Sequence, residues 1–219
     1  MRRRRTGTRR RLQANHLAPS LLTHLLLDDL RADGGGSVVN TSSVGNRVFG
    51  HIDLDDLKNA ALMAEIEPVP VTELPFERWQ RIIDVNLTEA LRCTRAVLPA
   101  PLQQGYGKIV NQVSGGAFLP SGVHGVTKIG LVSLTAHLSH ELAADGIRVN
   151  AIAPGFTNTP TGSAAAGEAA RDAHAASGVA FPLGDPTDLT GTQVLLASAA
   201  SDWITGQTID VDGGWIHRI

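Results

Sequence analysis

Apolar and polar positions along the chain alternate between two periods. From Leu74 to Leu98 apolar residues recur at helical spacing through Trp79, Ile82, Ile83, Val85, Leu87 and Leu91, and Pro99 and Pro101 close the run. Gly107–Val113 is a short apolar stretch after a Gly-Tyr-Gly turn, which predicts a strand. Val123–Ala144 predicts a second long helix, its apolar residues (Val126, Ile129, Leu131, Leu134, Leu138, Leu142) covering a wide face. Ile147–Ala153 is a buried strand stopped by Pro154 and Gly155; Asp188–Ala197 is a helix; Gln207–Asp212 is a last strand ended by Gly213 and Gly214. Between them, Ala164–Ser177 is rich in small residues and predicts a helical lid. Apolar strands alternating with helices predict an α/β fold, a doubly wound parallel sheet covered on both faces. Such sheets bind ligands at the carboxyl ends of their strands.

The first third of the chain repeats part of the second. Residues 15–43 align without a gap on residues 86–114, with 8 identities in 29 positions, among them Val39-Asn40 on Val110-Asn111 and Ser43 on Ser114. Both copies read as helix, glycine turn, apolar strand, serine. One such duplication is not a solenoid, which stacks several units. It points to the same piece of one fold present twice, and to a sheet that is incomplete or rearranged at its N-terminal side. The predicted division is an Arg-rich disordered start over 1–12, a helix–strand fragment over 13–57 that repeats 84–116, and a catalytic and C-terminal part over 58–219.

Composition narrows the function classes. The chain has 219 residues, 42% of them hydrophobic, enough for a sizeable core. Its net charge of -2 conceals an asymmetry, because seven of the 19 basic residues lie in the first eleven positions, leaving 12 against 21 acidic residues. An acidic body argues against nucleic-acid binding, and an isolated arginine run is a self-repelling, solvated start. No stretch approaches the ~20 apolar residues that cross a bilayer, so no membrane association is expected. The lone Cys93 excludes an intrachain disulfide and suits a reducing compartment, hence the cytoplasm.

Four residues could carry chemistry. Ser114 ends a predicted strand ten residues before His124, and His124 and Lys128 share a helix face as an i, i+4 pair. Asn86 sits mid-helix, where asparagine is a poor helix former and needs another reason to be there. Moving a hydride to a carbonyl requires a held cofactor, a proton source and donors for the developing alkoxide, and a serine, a titratable ring and a lysine at one strand end can supply the last two. His137 and His140 form an i, i+3 pair with no third ligand at plausible spacing, so no metal site is predicted.

In order and spacing these motifs resemble the short-chain dehydrogenase/reductase family over roughly residues 58–216. The second repeat copy is similar to a bacterial oxoacyl reductase, and the first to retinol-dehydrogenase-like members. The resemblance implies a Rossmann-like sheet and an NAD(P)-dependent oxidoreductase that interconverts a ketone and a secondary alcohol. Ser114 would orient the carbonyl, and Lys128 would grip the nicotinamide ribose. His124 stands where the family has the proton-donating tyrosine, and Asn86 would kink its helix and hold a water in the proton path. Asn59 and Ala60, in Asn59-Ala60-Ala61, stand where the family's Asn-Asn-Ala-Gly motif supports the strand beside the cofactor. Pro154, Gly155 and the backbone beside Phe156 would meet the nicotinamide amide, and Thr159 the pyrophosphate. Asn150 and the segment from Asp210 to Gly214 read as structural. The resemblance further implies NAD or NADP as cofactor, a small-molecule carbonyl or alcohol as substrate, and a homo-oligomer.

Two departures from the family pattern open an alternative. Imidazole reaches roughly 2 Å less far than a phenol, and the Lys128 ammonium disfavours imidazolium, which predicts a mostly neutral ring. The family's Thr-Gly-x-x-x-Gly-x-Gly phosphate loop is also absent. Gly34-Gly35-Gly36 precedes its strand, and the stretch from Ser42 to Gly50 lacks the spacing. Weakened or lost cofactor binding is therefore expected, and the alternative is a truncated, catalytically impaired member that acts as a non-enzymatic or hetero-oligomerising subunit.

Overall fold

The computed structural model describes residues 40–41, 69–157, 176 and 183–218. In chain order the elements are β1 (Asn40–Thr41), α1 (Phe76–Ile83), a π-helical turn (Asp84–Thr88), α2 (Glu89–Val97), α3 (Pro99–Gln104), β2 (Gly107–Gln112), α4 (Gly122–Glu141), β3 (Ile147–Pro154), α5 (Thr190–Ala197) and β4 (Thr208–Val211). The four strands form one parallel sheet in the order β1-β2-β3-β4. Asn40 lies opposite Val110 and Thr41 opposite Asn111. The two strands of the sequence repeat are thus neighbours in one sheet, one residue out of step with their alignment. The arginine-rich start, the rest of the first repeat copy with Ser43, Asn59 and Ala60, and Thr159 lie outside the described residues, as does the predicted lid except Ala176.

The β2 and β3 side chains alternate between two cores, as the two-residue strand period requires. On one face Ile109, Ile147 and Val149 pack with Leu138 of α4, with Leu142 directly after it, and with Cys93 and Val97 of α2. Further along that face Val113, Ala151 and Ala153 pack with Leu131 and Ala90. On the other face Val110 and Ile152 pack with Leu196 of α5, flanked by Ile209 and Val211 of β4. Each such aliphatic side chain contributes about 1.5–3 kcal/mol by leaving water. Helices on both faces make the sheet doubly wound.

The helix predicted over Leu74–Leu98 begins at Phe76, directly after Pro75, and is not α-helical throughout. Over Asp84–Thr88 it widens to a π turn, in which the Glu89 N–H bonds the Asp84 carbonyl five residues back. Pro99 does not close the run as the sequence suggested. Leu98 keeps helical angles (φ -52°, ψ -36°) and Pro99 opens α3, since a proline at the first helical position sacrifices no hydrogen bond. On α4, Leu131 and Leu138 face the sheet, whereas Val126 and Ile129 stay exposed. No helix among the described residues is long and apolar enough to cross a membrane.

Candidate active site

Three side chains meet at the carboxyl end of β2. The strand stops at Gln112, and Ser114 caps a short 3-10 turn, Gly115–Phe118, its Oγ accepting the Gly116 N–H at 3.1 Å. Two bonds tie β2 to α4 and so set what faces this turn. Asn111 Nδ2 donates to Thr135 Oγ1 at 2.9 Å, and Lys128 Nζ donates to the Gln112 carbonyl at 3.2 Å. Lys128, Leu131, Thr135 and Leu138 recur at helical spacing and are all buried against the sheet. His124, one turn before Lys128, is thereby carried to the Ser114 turn. A Cβ placed on Gly116 would lie 3.2 Å from Ser121 Oγ, 3.3 Å from His124 Cδ2 and 3.4 Å from Ser114 Oγ, so the three groups converge on that glycine. Ser121 Oγ also donates to the Gly116 carbonyl at 2.6 Å, pinning the turn to the start of α4.

Electrostatics separate the two titratable groups. Burial, and secondly the Lys128 ammonium, push the His124 imidazole down to about 4. The neutral ring expected from the sequence follows, but desolvation outweighs the neighbouring charge that the sequence pointed to. Burial alone pushes Lys128 down to about 8. Among the described residues its ammonium, which has three donors, meets a single acceptor.

Asn86 lies in the π turn, buried, with Nδ2 donating to the Ile82 carbonyl at 3.1 Å. Its Oδ1 is a buried acceptor without a partner among the described residues. The π turn docks on α4 through Leu87, whose Cδ2 lies 3.0 Å from where a Cβ on Gly130 would sit.

Pro154 and Gly155 end β3 beside this cluster, with the Pro154 carbonyl 3.5 Å from a Cβ position on Gly115. On one side of Gly155 the Cα and Cβ of Asp212 lie 2.7 Å from where a Cβ would sit. The ring of Phe156 packs against Trp215, centroids 4.9 Å apart and tilted by 38°. Asn150 does anchor the sheet, donating to the Ile204 carbonyl at 2.8 Å and accepting the Gln207 N–H at 3.0 Å. Tyr106 lies at the opposite end of the sheet, its hydroxyl bonded to Asp202 at 3.0 Å. His137 bonds the Ser133 carbonyl of its own helix at 2.8 Å.

Sequence reasoning missed Gly115, Gly116, Ser121, Thr135 and Trp215. Two consecutive glycines after Ser114 were the one available signal, since side-chain-free backbone marks close approach.

A serine, a titratable ring and a buried lysine thus lie at a parallel strand's carboxyl end, where open α/β sheets bind ligands. The family model described as enoyl-(acyl carrier protein) reductase matches residues 48–216. An uncharacterized oxidoreductase of Mycobacterium tuberculosis is 36% identical over 203 residues, covering 89% of this chain and 77% of that protein. The 2-dehydro-3-deoxy-D-gluconate 5-dehydrogenase of Bacillus subtilis is 34% identical over 177 residues, covering 78% of this chain and 68% of that protein. A crystal structure of a gluconate 5-dehydrogenase from Burkholderia cenocepacia, in complex with NADP and tartrate, superposes with a TM-score of 0.68 at 26% identity, covering 88% of this chain and 70% of that one. The chain belongs to the short-chain dehydrogenase/reductase family and has its Rossmann-type fold.

Proposed function

We propose that this protein is an NAD(P)-dependent oxidoreductase that interconverts a secondary alcohol and a ketone on a small molecule. The observation that carries this reading is the convergence of Ser114 and His124 on Gly116, with Lys128 bonded to the carbonyl two residues before Ser114. Relatives named as dehydrogenases, and a neighbour whose crystal structure holds NADP, support it.

The residues present fit the nicotinamide end of a dinucleotide. Lys128 has two ammonium donors without acceptors among the described residues, which suits a ribose diol, and the loop at Phe156 lies beside the same strand end. When bound, the nicotinamide supplies or accepts the hydride. The remaining work falls to the chain. The Ser114 hydroxyl, already accepting from Gly116, keeps its own proton to donate to a substrate oxygen. The neutral His124 ring offers a lone pair to the alcohol proton. Lys128, charged below about 8, stabilises an adjacent alkoxide. Asn86 Oδ1 can take a water at the back of the site. With an imidazole that is unprotonated at neutral pH, alcohol oxidation is the better-served direction.

The low His124 value also favours a second reading, in which the chain is catalytically impaired, binds the dinucleotide weakly or not at all, and serves as a subunit beside an intact relative. Thermal melts with NADPH and with NADH separate the two readings. A bound nucleotide must raise the melting temperature, and a rise accompanied by 340 nm absorbance change on a polyol panel supports the enzyme. No shift with either nucleotide removes it. We further propose a cytoplasmic homo-oligomer, for which light scattering on the purified chain gives the assembly state.

A further inference from the structure

The two backbone segments that frame this site, the Ser114 turn and the loop at Phe156, are both gripped by the C-terminal tail. After β4, Asp212 turns the chain, its Oδ1 accepting the Gly214 N–H at 3.0 Å and its Oδ2 the Ile216 N–H at 2.8 Å. Gly213 (φ 69°) and Gly214 (φ 84°) take left-handed angles that other residues resist, so the tail doubles back across the carboxyl end of the sheet. There the Trp215 ring packs on Phe156, while its Cζ3 lies 3.3 Å, and Ile216 Cδ1 2.9 Å, from where a Cβ on Gly115 would sit. Arg218 closes the tail. Its Nε meets Asp210 Oδ2 at 2.7 Å, and its guanidinium lies 4.4 Å over the ring of Phe118, the last residue of the turn that Ser114 begins.

Gly115 and Gly116 therefore form a thin spacer. Trp215 and Ile216 press on the first, and Ser121 and His124 crowd the second. Among the described residues, Trp215 is not one of the side chains that make up the three cores between sheet and helices. Indole is rigid and broad, with few side-chain rotamers to lose, and suits a wedge between two segments.

We propose that Trp215 is a positioning residue of the candidate site, a wedge that sets the gap between the Ser114 turn and the Phe156 loop, with Arg218 as the latch that seats it. The proposal rests on the reading of Ser114, His124 and Lys128 as the reacting cluster. Its test uses a property of the protein without nucleotide, so the two fail separately.

The measurement is an NMR titration of the His124 imidazole in the full chain, assigned with His124→Asn, in the wild type and in Trp215→Ala, Trp215→Phe and Arg218→Ala. Removing the wedge lets the spacer relax and water reach His124. The expected result is a midpoint raised by about one pH unit toward the ordinary histidine value near 6.5 in Trp215→Ala, with smaller rises in the other two. If Trp215→Ala melts lower while its His124 titration superposes on the wild type, the tail is merely structural and the proposal falls. Should Trp215→Ala not fold, an unchanged midpoint in both Trp215→Phe and Arg218→Ala overturns it equally. A wild type that shows no thermal shift with NADPH or NADH removes the oxidoreductase reading and leaves this titration result to stand or fall by itself.

Discussion

Lys108 and Lys128 are both buried against one sheet, on β2 and on the helix that covers it, yet their surroundings differ in kind. At the amino end of β2, Lys108 Nζ lies 2.7 Å from Asp202 Oδ1 and donates to Ser201 Oγ at 3.0 Å, with Tyr106 and Arg148 completing the cluster. At the carboxyl end, Lys128 has one neutral carbonyl among the described residues, one turn from a histidine driven neutral by burial, and the π turn packed on α4 carries an Asn86 oxygen with no partner among those residues. One end satisfies its charge and ties β2 to the turn after α5. Among the described residues the other leaves donors and acceptors spare, which costs stability and is what a site that receives a ligand requires. Burial alone does not separate the two lysines. The partners do.

The largest expected effect comes from exchanging the buried ammonium for an apolar chain at each end. Lys128→Met should lower alcohol oxidation by about 10²–10⁴-fold, the span typical of losing a proton-transfer or charge-stabilising group, while the folded state is kept or gains stability. Lys108→Met should do the reverse, leaving turnover intact and lowering unfolding free energy by about 1–3 kcal/mol in denaturant melts. If both variants lose stability and activity together, the distinction between the ends is wrong.

His124→Tyr should raise turnover by about 10²-fold, since a phenol reaches farther than imidazole and a shortfall of only about 1 Å costs that much. An unchanged rate in stopped assays would put the limit at nucleotide binding.

Thr135→Val is expected to cost about 1 kcal/mol by removing the hydroxyl that accepts from the buried Asn111 amide, and to loosen α4 over β2 so that activity drops along with stability.

The remaining effects are in pH, and at both ends stability rises with pH, in an alkaline window for Lys128 and an acid one for Asp202. Lys128 is pushed down to about 8 from its ordinary 10.5, so the native state gives up that proton first and stability rises with pH between those values. Activity, which needs the ammonium, falls over the same window. At the other end the Lys108 hydrogen bond, followed by Tyr106 and the nearby cations, depresses Asp202 below its ordinary 3.8 despite opposing desolvation. Its contribution is complete above that value and is lost as pH falls through the lower folded one. Because Asp202 is largely solvated, Asp202→Asn should shift the acid arm of the stability profile only slightly.

Much of this was legible beforehand because it is local. Strand and helix periods placed β2, α4 and β3 to within a few residues, and the i, i+4 spacing alone put His124 and Lys128 on one helix face. The π turn was not legible, since asparagine's poor helix propensity says that Asn86 is unusual but not which way the helix yields. The reading of Pro99 as a stop failed because a proline can equally begin a helix. That Asp212 packs on Gly155 was not legible, because the two are 57 residues apart in sequence.

By itself the sequence determined the order of elements, the parallel α/β class and the membership of Ser114, His124 and Lys128 in one cluster, because those follow from periodicity and from spacings within one strand–helix unit. Tertiary structure alone decided that burial outweighs Lys128 in keeping His124 neutral, that Asn86 carries an acceptor spare among the described residues, and that a tail from the last strand presses on the Ser114 turn. Those properties depend on which distant surfaces exclude water from which groups, and a linear pattern carries no record of that.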